Sequence, residues 1–369
     1  MVVEKRDLLH TVVEHLDIKV VNVVPLIEMM ERTAFQARNL ARAARIIEAM
    51  VADPQATVIL TLAGSLISAG QKGIILDLLK CNAIDVIVST GANIVDQDFF
   101  EALGFRHYQG SPASDDSMLR ELAIDRIYDT YIDEDDLRVC DETVRRIADE
   151  LAPGVYSSRE FIQAMGHYLD QHHRTAESIV LEAYRRDIPI FVPAFSDCSA
   201  GFGLVCHQTT NPDRHVSIDS VKDFRELTQI KVQAGVTGLF MLGGGVPKNF
   251  VQDIVVAAEV LGYQVPMHTY AVQLTVADER DGALSGSTLR EANSWGKVDL
   301  THEQMVFGEA TITFPLLAGY LYHTGVWRTR TLRAWNRIFD QPATLTLPGF
   351  SLTPDLPVAQ EHRQPPVVG

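Results

Sequence analysis

The sequence predicts an α/β protein: a doubly wound, mostly parallel sheet with helices on both faces. Three observations predict it. Apolar, β-branched runs alternate with stretches of helical periodicity, the order in which parallel strands and their crossover helices follow one another. The runs TVILTL, DVIVS, IPIFV and VTGLFML are continuous rather than alternating, as in strands covered on both faces. Four of these runs end in small or polar residues, AGSLISAG, STGAN, SDCSAG and LGGGVPKN. Ligands in open α/β sheets bind outside the carboxyl ends of strands, so these four ends point to one shared crevice.

Taken in order, Leu26 to Val51 reads as one long amphipathic helix. Phe35, Leu40, Ala43, Ile46 and Met50 recur at helical spacing between Arg32, Arg38, Arg42 and Arg45. Thr57 to Leu62 is the first strand, GIILDLLKCN a helix, and DVIVSTGAN a second strand with glycine after it. The stretch from Asp115 to Asp149 is more acidic and carries helical periodicity in ETVRRIADEL. Next, ESIVLEAYRRD leads into IPIFVPAFSD, KDFRELTQIKVQAG into VTGLFMLGGG, and FVQDIVVAAEVLGY into VPMHTYAVQL. Beyond Asp340, six of the 16 prolines fall within 29 residues, so 341–369 reads as an extended tail on a single domain of residues 1–340.

Composition narrows the function classes. At 369 residues, 46% hydrophobic and 22% charged, the chain is of ordinary globular make-up. Its net charge of −16, with no basic segment, excludes a nucleic-acid binder. An acidic balance can draw small cations into clefts, although it serves solubility equally well. No apolar run approaches the roughly 18–20 residues of a membrane span, and MVVEKRDLLH lacks the pattern of a secretory signal. Cys81, Cys140, Cys198 and Cys206 form no CxxC pair and fit reduced thiols, so the expectation is a soluble, cytoplasmic protein.

Two segments carry candidate chemistry. Gly243-Gly244-Gly245 stands between a strand and a helix, where backbone N–H groups can approach an anion; a tight structural turn would look the same. DERDGALSGSTLREANSWGKVD ends on Trp295-Gly296-Lys297. A lysine desolvated against an indole is held as a neutral amine able to form an imine, and the ring face can hold an ammonium. Glu291 lies six residues before Lys297, within reach of a cationic ligand if the loop folds back; a surface turn is the plainer reading of the same triplet. Cys198, Cys206, His207 and the His172-His173 pair match no zinc spacing, so no metal is expected.

Together, RTAFQARNLARA, LAGSLISAG, DVIVSTGAN, IPIFVPAFSDCSAG, LFMLGGGVPK, DGALSGSTLREANSWGK and ITFPLL resemble the deoxyhypusine synthase family, including its bacterial deoxyhypusine synthase-like members, in family order from Val20 to Tyr322. The resemblance implies a Rossmann-like fold, NAD as cofactor, a small-molecule amine substrate and a homotetramer with active sites at subunit interfaces. It implies transfer of an aminobutyl-type group through an imine on an enzyme lysine, to a protein lysine or, as in homospermidine formation, to a small amine. Carried over by motif, Lys297 is the catalytic lysine, and Trp295, Glu291, Asn249, Asp281 and Asp96 are substrate-binding. The cofactor set is Gly64, Ser65, Ser68, Thr90, Gly91, Ala92, Asp197, Gly244, Val276, Ala277, Glu309 and Ala310.

The departures from the family pattern are specific. Asn249 stands where the family has a histidine that assists amine oxidation, and it cannot serve as a base. Phe202 and Leu284 replace amine-binding aspartates, and the family's acidic pair becomes Asp96-Gln97 with a one-residue offset. Either other acids rebind the amine, or the substrate is shorter or less charged than spermidine. Two alternatives stay open: an NAD-dependent dehydrogenase or lyase acting on a non-polyamine substrate, and a non-catalytic NAD-binding homologue.

Overall fold

The computed structural model describes residues 3–341 and residue 345; the expected Pro-rich tail lies otherwise outside the described residues, as does the side chain of Leu284. Six strands form the central sheet: β1 Thr57–Leu62, β2 Val86–Ser89, β3 Ile190–Phe191, β4 Thr237–Leu242, β5 His268–Thr275 and β6 Val298–Phe307. Their spatial order is β6-β5-β4-β1-β2-β3, and every neighbouring pair is parallel. Read from the other edge, this is the 3-2-1-4-5-6 order of dinucleotide-binding sheets, and the order reverses between β1 and β4.

Alternate residues of each strand enter two separate cores, the expected signature of helices on both faces. Val58, Leu60, Leu62, Phe240, Leu242, Val272 and Leu274 pack on one side, with residues of α2 Phe35–Ala52, α3 Lys72–Lys80 and α11 Ala310–Thr324. Ile59, Val86, Val88, Leu239, Met241 and Ala271 pack on the other, against α7 Ser220–Ala234, α8 Gly245–Gln252, α9 Ile254–Val260 and α10 Leu289–Ser294. Two more helices bear on the site, α4 Glu134–Glu150 and α6 Ser199–Thr210.

Three local expectations are corrected. The helix read from Leu26 to Val51 is two, α1 Val24–Met30 and α2, because Phe35 takes a left-handed φ of 55° and Thr33 caps back onto Met30 O at 2.7 Å. The FVQDIVVAAEVLGY helix breaks at Asp253 into α8 and α9. The acidic middle is not only helical. Ile124–Ile127 and Thr130–Asp133 form an antiparallel hairpin, extended by Tyr108–Gln109, which projects toward the strand ends. The turn Tyr128-Asp129 has none of the Asn-Gly or Asp-Gly chemistry that announces a hairpin.

Candidate active site

At the reversal of strand order, the loops after β1 and β4 part and leave a cavity of about 990 Å³. Its lining includes eight of the twelve expected cofactor residues: Gly64, Ser65, Ser68, Gly244, Val276, Ala277, Glu309 and Ala310. Gly64 has a φ of 62°, which suits glycine. A Cβ on Gly244 would lie 2.4 Å from Ser285 Cα, so backbone passes there at the closest possible range. Gly244 caps α8 with no side chain, and Glu309 caps α11 by accepting from Thr311 N at 2.8 Å. Two helix amino ends therefore meet at one cavity, a field suited to an anion.

Buried amides fasten the β1 loop. Asn93 Oδ1 accepts from Leu66 N at 2.7 Å, and its Nδ2 donates to Gly64 O at 3.1 Å and to Thr90 Oγ1 at 2.9 Å. Gln97 Oε1 accepts from Ser68 N at 2.8 Å, so this residue holds the loop and does not face a substrate. Thr90, Gly91, Ala92 and Asp197 lie beside the cavity rather than in its lining. Thr90 Oγ1 donates to Gly64 O at 3.0 Å, and a Cβ on Gly91 would strike Cys198 Sγ at 2.4 Å. Asp197 is exposed on the turn after β3. Asp96 Oδ1 accepts from Ser199 N at 2.6 Å, and burial pushes its carboxyl up to about 7, with Asp141 and Asp197 adding to the shift.

Of the residues expected on the amine side, Lys297, Trp295, Asn249 and Glu291 gather elsewhere, along α8 and α10. Lys297 Nζ lies 2.5 Å from Asp253 Oδ1 and 5.3 Å from the Trp295 ring centroid. Asn249 Nδ2 donates to the other oxygen of Asp253 at 2.9 Å. Asp253, one helical turn beyond Asn249, thus joins lysine and amide, and no motif had singled it out. The indole is adjacent as expected; Trp295 is 67% exposed, whereas the Lys297 side chain is largely buried within the single chain. Beside the indole that the Trp-Gly-Lys triplet suggested, Nζ therefore also meets a carboxylate. A second lysine here, Lys248 of GGGVPK, is fully buried and donates to Ser287 O and, at 3.1 Å, to Ser287 Oγ. Burial pulls it down to about 8, Glu291 working against the shift and Lys297 with it. Glu291 itself closes a capping box with Thr288 at the start of α10.

The two groups do not meet within one chain. Lys297 precedes β6 and Glu309 follows it; a ten-residue strand separates their backbones by on the order of 30 Å. Asp281 is exposed on the loop between β5 and α10 and accepts from Ala283 N at 3.2 Å. Phe202 is exposed, with the Arg138 guanidinium 5.9 Å from its ring centroid. A smaller cavity of about 310 Å³ adjoins Asp253, lined by Val221, Phe224, Val246, Asn249 and Phe250 among others. His207 is fully occupied, its Nδ1 on Asp149 Oδ1 at 2.6 Å and its Nε2 accepting from Val216 N at 3.0 Å.

Comparison with known proteins agrees with this architecture. The family profile "Deoxyhypusine synthase" matches residues 25–321. The chain belongs to the deoxyhypusine synthase family. It is 66% identical over 338 residues to the "Deoxyhypusine synthase-like protein" of Chlorobaculum tepidum, covering 91% of this chain and 97% of that one. It is 59% identical to the protein of the same description from Coxiella burnetii over 91% of this chain and 96% of the relative. It is 41% identical to the "Probable deoxyhypusine synthase 2" of Methanosarcina mazei over 87% and 93%. The fold is also that of a solved Entamoeba histolytica protein assigned as a deoxyhypusine synthase, with a TM-score of 0.56 at 18% identity, covering 85% of this chain and 97% of that one. Among the described residues, no helix is long and apolar enough to cross a membrane.

Proposed function

We propose that the chain is an NAD-dependent transferase that moves an alkylamine group through an imine on Lys297. The observation that carries this reading is the coexistence in one family member of a dinucleotide-type crevice and a separately built lysine–carboxylate–amide cluster. The crevice fits NAD: helix amino ends and close-approaching backbone suit a pyrophosphate, and the lining contains no lysine or arginine for a further phosphate. Glu309, whose Oε2 caps α11, presents its other oxygen for a ribose hydroxyl. Gly64, Ser65, Ser68 and Gly244 would hold the phosphates, with Val276, Ala277 and Ala310 beside them. When bound, NAD supplies a hydride acceptor for amine oxidation and returns the hydride at the end.

The chain's own residues supply attachment and proton handling. Asp253 orients Lys297 Nζ and stands ready to receive an incoming ammonium in its place. Asp253, in contact with Lys297 Nζ, is the group placed to take up the proton that Lys297 must lose before its nitrogen attacks a carbon–nitrogen double bond, and the buried Lys248 nearby opposes a second positive charge. Trp295 offers its face to the cation. The separation along β6 supports an assembly in which Lys297 of one copy faces the crevice of another, and the family resemblance makes that assembly a homotetramer. Four free cysteines support a reducing, cytoplasmic setting. The apolar slot next to Asp253, with Phe202 in an aspartate's place, favours an amine of fewer charges than spermidine. A dehydrogenase or lyase acting on such a substrate is the second reading.

The test is incubation with NAD and a series of amines, followed by borohydride trapping and peptide mass mapping. The expected result is a mass gain on Lys297 that depends on NAD and vanishes in Lys297→Ala. Labelling unchanged by that substitution removes Lys297 from the mechanism.

A further inference from the structure

We infer that Tyr128 is the stacking residue that covers the purine of the dinucleotide, an inference that rests on the crevice being a dinucleotide site. The crevice is lined by small residues, which let backbone approach phosphates, and by aliphatic ones such as Leu66, Ile127, Leu242 and Val276. Among its lining residues Tyr128 alone is aromatic. It sits in the two-residue turn between Ile127 and Thr130, with a φ of 52°, a left-handed conformation that a bulky side chain rarely adopts.

Neighbouring groups hold that conformation. Arg126 Nη1 donates to Tyr128 O at 2.8 Å, while its Nε and Nη2 clamp the two oxygens of Asp116 at 2.7 Å each. Gly110 N donates to Asp129 O at 2.7 Å. The Tyr128 residue is 70% exposed, and among the described residues no ring or hydrogen-bonding partner engages its side chain. Backbone held in a disfavoured state to present an unpartnered ring at a cavity mouth is the arrangement expected of a functional position. Aromatic stacking serves any base, because every base offers a π-face. The purine, not the nicotinamide, is the ring assigned to Tyr128, because Tyr128 is 70% exposed while the hydride-exchanging nicotinamide needs a water-poor place.

The test measures binding to the full-length protein by calorimetry, with NAD, AMP and nicotinamide mononucleotide as probes, for wild type, Tyr128→Phe and Tyr128→Gly. Tyr128→Phe should bind all three as wild type does. Tyr128→Gly should bind NAD and AMP about tenfold more weakly and the mononucleotide unchanged. Its ligand-free melting temperature should rise, since glycine tolerates the turn. NAD affinity unchanged in Tyr128→Gly, or a loss confined to the mononucleotide, overturns the inference. A fall in assembly mass in Tyr128→Gly, seen by sedimentation, places the ring in a subunit contact and also overturns it. If wild type binds no NAD, the crevice reading falls with it; if wild type binds NAD and the variants do not differ, only the role of Tyr128 falls.

Discussion

At the scale of residues, the chemistry turns on which groups carry charge and where it is compensated. Lys297 is paired with Asp253, and Lys248 is buried a few residues away along the same helix. The motifs pointed to Lys297 but were silent on Asp253, whose role depends on the i,i+4 geometry of α8 and on a lysine from another element. Asp96 allows a pH prediction. Its folded carboxyl, pushed up to about 7, lies above its ordinary value, so the protonated form is favoured in the folded state. The stability this provides is fully present below about pH 4 and is lost as pH rises through 7. Asp96→Asn, which keeps the acceptor for Ser199 N, should melt with wild type at pH 4 and above it at pH 8. Thermal melts across that range check this, and parallel curves for the two proteins would contradict it.

At the scale of elements, the strands were legible because each is a continuous apolar run, and the glycine-bearing ends of β1 and β4 marked the crevice. Breaks within helices were not. Nothing local in the spacing of Leu26 to Val51 shows the left-handed turn at Phe35, and Asp253 is an ordinary helix residue by propensity. The π-helix Ala92–Phe99 is the element that fixes the loop after β1, through Asn93 and Gln97. Asn93→Ala leaves the buried Leu66 N–H without its acceptor, which should cost about 2 kcal/mol of stability. It should also weaken NAD binding while leaving the Lys297–Asp253 pair intact. Denaturant unfolding and calorimetric titration measure the two effects, and a loss of stability with no loss of NAD affinity would separate this element from the crevice.

At the scale of the whole molecule, the decisive quantity is the distance across the sheet. Residues before and after one strand cannot share a site within a single chain, so chemistry that needs Lys297 and the crevice together requires two copies. Lys297→Ala and Gly244→Val, the latter placing side-chain atoms against Ser285, should each be inactive. Co-expressed, they should regain about one quarter of wild-type turnover, because random pairing leaves half of the pairs mixed with one intact site of two. Assays of the purified mixture, with both variants at wild-type assembly mass, decide this; no recovery would mean that each chain works alone.

The order of apolar runs and their glycine endings determined an α/β sheet with a crevice at its carboxyl edge, since burial on both faces and tight turns are written in residues close together in the chain. The lysine of SWGK and the twelve expected cofactor positions came from the family resemblance of the motifs, and eight of those positions line the crevice. Only the tertiary structure decided that the strand order reverses between β1 and β4, that Asp253 pairs with Lys297, that a hairpin from the acidic middle carries Tyr128 to the cavity mouth, and that lysine and crevice stand at opposite ends of β6. Each of these depends on contacts between residues far apart in the chain, whose energies leave no periodic trace in any single segment.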